Sequence, residues 1–170
     1  MSRTSGLLTA GTLALAATFS IGVEHTVNAA TSKPAPKACA LLTTADFAKA
    51  GVSVKVGPPE DNPGGALSAG GSACGWSVST AKADFPIELS YGRSLKQRPE
   101  LQFFADLTEP ISGLPAGSVY VEAHSGAARD AYNGFVVKRG TLVVTLKATL
   151  AVVPKKAMLM LAKTIDARVK

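Results

Sequence analysis

Phe135-Val-Val-Lys-Arg-Gly-Thr-Leu-Val-Val-Thr-Leu-Lys-Ala148 decides the architecture of this 170-residue chain. Leu142, Val144, Leu146 and Ala148 recur at every second position, which places them on one face of an extended strand. Phe135 and Val137 do the same on the approach, and Arg139-Gly140 between the two runs reads as a tight reversal. The stretch is therefore an antiparallel hairpin with one apolar face. Moving upstream, Val119 and Val121 start another strand of the same set, and Pro110 to Gly117 is a turn-rich connector. Moving downstream, Pro154 opens a helix in which Met158, Leu161, Ala162, Ile165 and Val169 recur at three- and four-residue steps. Lys155, Lys156, Lys163 and Asp166 lie mainly off that stripe.

The first half carries a similar grammar. Thr43 or Thr44 is placed to cap a short helix through Ala45, Asp46, Phe47 and Ala48, with Asp46 in its first turn and Gly51 ending it. Val52, Val54 and Val56 alternate with Ser53 and Lys55 and read as a strand. Residues 57–72 are rich in Gly and Pro and predict a long mobile loop without regular structure; as a binding element or as a tolerated insertion, both readings are open. Strands follow over Cys74 to Ser79 and Phe85 to Tyr91, forming a hairpin, and a helix is expected from Pro99 through Leu107 with Leu101 and Phe104 facing inward. The order is helix, three strands, helix, three strands, helix. It suggests two three-strand-plus-helix units, although the residues themselves show no repeat. Hairpin connections predominate, so the expected fold class is α+β: an antiparallel β-sheet with helices packed on one face and one structural disulfide.

That disulfide follows from the leader. Arg3 precedes an apolar run from Leu7 to Ile21 that is short and broken by Thr, Ser and Gly, the pattern of a secretory signal. Val27-Asn28-Ala29-Ala30 supplies the small residues for cleavage after Ala29, with Ala30 as the alternative and a retained anchor as the rival reading. The chain then divides into a signal peptide over 1–29, a flexible Lys- and Pro-containing linker over 30–38 and one α+β domain over 39–170. A secreted or periplasmic, envelope-associated location makes a bond between Cys39 and Cys74 the default, since these are the two cysteines of the chain. A redox pair would sit closer in sequence, and a zinc site needs more ligands than His124 adds. No metal and no cofactor is expected.

The formal net charge is +6, and loss of the leader removes one cation, Arg3, and one carboxylate, Glu24. The excess is concentrated late. From Lys138 onward stand Lys138, Arg139, Lys147, Lys155, Lys156, Lys163, Arg168 and Lys170 against Asp166 alone. Either these are solvated faces and a lysine-protected strand edge, or Lys138, Arg139, Lys155, Lys156 and Lys163 form a surface for anionic lipid or wall polymer. Nucleic acid is not expected, because the basic segment has no interleaved aromatics and the leader removes the protein from most of it. No transmembrane segment remains after processing.

Enzymatic motifs are missing from the sequence. There is no Gly-x-Ser-x-Gly elbow, Ser-x-x-Lys pair or His-Glu-x-x-His helix. His124 reads as an exposed loop histidine, and Glu60-Asp61 as solvated charges rather than a catalytic pair. Trp76, Tyr91 and Tyr120 are the candidate lining of a ligand cleft between sheet and helices, with core packing as the competing reading. The expected function is a noncatalytic exported domain that binds a small ligand or an envelope protein. The alternative is a cationic envelope-surface protein. A small hydrolase with an unrecognised site ranks below both.

Cys39-Ala-Leu-Leu-Thr-Thr-Ala-Asp46, the Gly- and Pro-rich segment, Cys74-Gly-Trp76, Ile111-Ser-Gly-Leu-Pro-Ala-Gly-Ser-Val-Tyr120, the paired strands with a basic Gly turn and the final amphipathic helix together resemble the domain of unknown function 3558 family. Its members are exported actinobacterial proteins, often lipoproteins. More distantly the pattern is similar to the extracellular sensor domains of mycobacterial serine/threonine kinases. The resemblance spans the chain from Cys39 and implies an α+β fold, a cleft for an unknown ligand and no catalytic residues. The chain departs from it in having no lipobox cysteine and a single cysteine pair.

Overall fold

A computed structural model describes residues 37–62, 65–68, 70–81, 83–93, 105–124 and 131–169. A 3-10 turn at Ala38–Ala40 leads into α1 (Thr44–Lys49). Seven strands follow: β1 (Glu60–Asp61), β2 (Ser72–Ser79), β3 (Asp84–Arg93), β4 (Leu107–Pro110), β5 (Val119–Ala123), β6 (Tyr132–Arg139) and β7 (Leu142–Thr149), and then α2 (Lys155–Arg168). The strands make one sheet in the order β1-β2-β3-β7-β6-β5-β4, and every neighbouring pair is antiparallel. The expected antiparallel α+β architecture is thus present, in a form dominated by strands.

The hairpin over residues 135–148 forms as expected. Arg139 pairs with Leu142 across Gly140, whose φ of 60° lies in the left-handed region that glycine enters without cost. β7 is then flanked by β6 on one side and β3 on the other, with Leu89 opposite Leu146 and Leu146 opposite Phe135. One face of the sheet carries Trp76, Ile87, Leu89, Val144, Leu146 and Phe135, and these join Phe47 of α1 and Met158, Leu161 and Ile165 of α2 in a single core. The opposite face is also shielded in its central strands, where Val121, Val136, Val143 and Thr145 are buried outside that core.

The short first helix is held at its start by a capping box. The Asp46 carboxylate accepts from the Thr43 backbone N–H at 2.7 Å and from the Thr43 hydroxyl at 2.8 Å. The same carboxylate takes both arms of the Arg168 guanidinium, at 2.8 and 2.9 Å, while Arg168 also donates to the Leu41 carbonyl at 2.7 Å. The end of α2 is thereby tied to the start of α1. Cys39 and Cys74 are bonded, with Cα atoms 5.0 Å apart, so the segment before α1 is stapled to β2.

Four expectations are corrected. Val52 to Val56 is no strand: Val52 is buried, but the backbone makes a single bridge, Val56 to Val78. Pro58 and Pro59 lack the N–H groups that would extend the ladder, and β1 takes the next stretch of β2's edge at Gly75 and Cys74. Residues 57–72, read as a loop without regular structure, contain β1 and fold back onto β3. There the Arg93 N–H donates to the Ser68 hydroxyl at 3.0 Å, and a Cβ on Gly92 would stand 2.8 Å from that of Leu67. The helix expected from Pro99 falls on residues 99–104, outside the described residues, and its last position, Leu107, instead begins β4 and pairs with Glu122. The second strand group consequently has four members, which breaks the match between two three-strand units. Finally, Asp166 belongs to the buried side of α2, because Arg139 reaches it from β6.

Two expectations for stability follow. A cross-link closing a loop of this length contributes about 4 kcal/mol on the chain-entropy account, so replacing Cys39 and Cys74 together with Ala should lower the unfolding free energy in urea by about that amount. The Asp46 carboxyl is held down to about 2, chiefly by Arg168, below its unfolded value of about 3.9. Its contribution is complete above the unfolded value and disappears as pH falls through the folded one. Asp46→Asn should therefore cost about 1 to 2 kcal/mol at neutral pH, allowing for the part-exposed Arg168. The gap to the parent protein should close between about pH 4 and pH 2 in an acid denaturation series.

Candidate functional site

Trp76, Tyr91 and Tyr120 all lie on the helix-facing side of the sheet and are at most 2% exposed. They do not converge. Trp76 is on β2 and Tyr120 on β5, with β3, β7 and β6 between them. Trp76 stands edge-on to Phe47, ring centroids 5.2 Å apart, which is packing geometry. The trio is distributed through the core rather than gathered around a cleft.

Tyr120 heads a different arrangement, one the sequence reading did not anticipate. Its hydroxyl donates to the Glu122 carboxylate at 2.6 Å, and burial first, then this carboxylate, pushes the phenol above its ordinary range. The other oxygen of Glu122 is 2.9 Å from His124 Nε2. His124 Nδ1 faces Asp106 at 3.7 Å, and the His124 backbone N–H donates to the same Asp106 carboxylate. The imidazole is exposed, as expected, yet both ring nitrogens are turned to carboxylates. Tyr120, Glu122 and His124 share one strand face because they alternate, and the register of β4 against β5, with Leu107 opposite Glu122, delivers Asp106 to that end. Alternation was visible in the sequence; the approach of Asp106 was not.

The same edge of the sheet meets the start of α2. Lys155 Nζ is 2.6 Å from the Glu109 carboxylate and 4.9 Å from the Tyr120 ring centroid, a distance suited to a cation–π contact. A continuous set of polar contacts thus runs from Asp106 and His124 to the first turn of α2.

The five candidate surface cations separate. Arg139 is engaged with the buried Asp166 at 2.6 Å. Lys138, its neighbour on β6, points by strand alternation to the opposite face of the sheet, where it is exposed. Lys155, Lys156 and Lys163 remain together. With Leu159 and Met160 they line an open groove of about 530 Å³ on the outer side of α2. Met160 is 42% exposed, and it and Leu107 are the exposed large apolar side chains among the described residues. No described helix is long and apolar enough to cross a membrane.

No protein-family model, curated protein or solved structure matches this chain. The contacts around Tyr120 can be probed directly. Tyr120→Phe removes a buried donor and leaves Glu122 with one partner fewer, so it should lower the thermal or urea stability by about 1 to 2 kcal/mol. His124→Gln, at an exposed imidazole, should change stability by less than about 1 kcal/mol.

Proposed function

We propose that this chain is a noncatalytic, exported binding domain whose working surface is the outer side of α2 and whose partner is anionic. The observation that carries the reading is the grouping of Lys155, Lys156 and Lys163 around exposed Met160, while Arg139 and Arg168 are occupied by Asp166 and Asp46. Lys155 is paired with Glu109, but Lys156 and Lys163 have no carboxylate within ion-pair distance among the described residues, and such cations attract negative charge from solution. The aromatic trio, being core, offers no comparable surface. His124 has both ring nitrogens facing carboxylates and links the end of β5 to the segment that enters β4.

Export is part of the proposal, supported by the apolar leader with its small-residue cleavage tract and by the Cys39–Cys74 bond, a feature of oxidising compartments. Membership of the exported actinobacterial family rests on the motifs around those cysteines and belongs to the same proposal. Mass spectrometry on protein recovered after expression of the full chain should find a mature start at residue 30 or 31.

Binding is tested with two anionic probes, vesicles containing phosphatidylglycerol and soluble long-chain polyphosphate. Lys156→Glu with Lys163→Glu leaves the Lys155–Glu109 pair intact and should weaken binding to an anionic partner at least about tenfold, at about 1 kcal/mol per lysine. Added salt should do the same to the parent protein. Absence of binding to both probes at low salt would refute the reading.

A further inference from the structure

We infer that the anionic partner is a lipid bilayer surface, on which α2 lies flat with Met160 below the headgroups and Lys156 and Lys163 on their phosphates. The inference rests on the binding face proposed above and names its partner. Lys156, Met160 and Lys163 follow one another at four- and three-residue steps, so they form one stripe along the outside of the helix, opposite the buried Met158, Leu161 and Ile165. At 1.5 Å per residue the two lysines stand about 10 Å apart along the axis with the methionine between them. Leu159, partly buried against the core, flanks the same groove.

A polyanion dissolved in water would satisfy the lysines and leave the exposed thioether chain without a purpose. A bilayer interface satisfies both. Lysine stems lie along apolar surface while their ammonium groups remain at the phosphates, and a helix lying in the interface buries its apolar side chains at the headgroup boundary. The charge on the helix is complementary to such a surface. The one carboxylate of α2, Asp166, is turned inward and held by Arg139, and the neighbouring Glu109 is already paired with Lys155. Ion pairs near both ends tie the helix to β4 through Lys155–Glu109 and to α1 through Arg168–Asp46, and its inner face is packed in the core, so the stripe is presented as a rigid element rather than folding on contact.

The test uses the tryptophan economy of the chain. Trp76 is its sole tryptophan and is buried, so a Met160→Trp variant adds one reporter at the proposed contact. With one-to-one phosphatidylglycerol and phosphatidylcholine vesicles, its added emission should shift to the blue and be quenched by lipids brominated near the headgroup. Polyphosphate should leave the spectrum unchanged. In the otherwise unaltered chain, Met160→Ser should weaken vesicle binding about five- to tenfold and leave polyphosphate binding as it was. An unshifted spectrum together with an ineffective Met160→Ser, while Lys156→Glu with Lys163→Glu abolishes binding to both probes, would overturn the bilayer and leave the anionic binding face standing. Vesicle binding that survives the lysine reversal would overturn both.

Discussion

The register of β3 against β7 is the constraint on which the rest of this structure depends. It joins β1, β2 and β3 to β4, β5, β6 and β7, two groups of strands that are otherwise local along the chain. Leu89 opposite Leu146 and Tyr91 opposite Val144 bring the apolar faces of both groups into one plane. A slip of one residue would turn every inward side chain of one group to the other face. With the register set, α1 and α2 have a common surface to cover, and the two helices meet there.

Ion pairs add to the apolar contacts that hold α2 in place. Arg168 reaches Asp46 and the Leu41 carbonyl, Arg139 reaches Asp166, and Lys155 reaches Glu109. Arg139, Lys155 and Arg168, three of the cations of the C-terminal region, are therefore engaged within the fold. Pairs that involve a buried carboxylate are costly to break one-sidedly, because the remaining charge is left in a poorly solvated site. What remains outside these pairs, principally Lys156 and Lys163 beside Met160, is the part available to a partner.

The legible features were those with a local cause. Strand alternation in β2, β3, β6 and β7, the Gly140 reversal and the inward stripe of α2 all depend on spacing along a few residues. The cap at Thr43 or Thr44 and the first-turn place of Asp46 lie within one turn, and the cysteine pair follows from counting. The alternating valines at 52 to 56 misled, since period two reports which side chains face inward and not whether a neighbouring strand is free to pair. Leu107 misled for the reciprocal reason: the open edge of β5 took it as β4. In the candidate site, aromatic character drew attention to Trp76, Tyr91 and Tyr120, yet aromatic side chains are as suited to cores as to clefts. Of the proposed surface cations, the three that share α2 were the ones whose grouping could be read from helical spacing.

By itself the sequence determined the strand and helix segments whose apolar periodicity is strong, the turn between β6 and β7, a threonine cap for α1 with Asp46 in its first turn and the identity of the cross-linked cysteines. These are local choices of backbone conformation and of which side chains avoid water. The tertiary structure alone decided the neighbour of β7, the burial of the aromatic trio, the assembly of Tyr120, Glu122, His124 and Asp106, and which cations are consumed. Arg168 and Asp46 are 122 residues apart, and Arg139 and Asp166 are 27 apart. Such meetings depend on the packing of whole elements, for which spacing along the chain carries no measure.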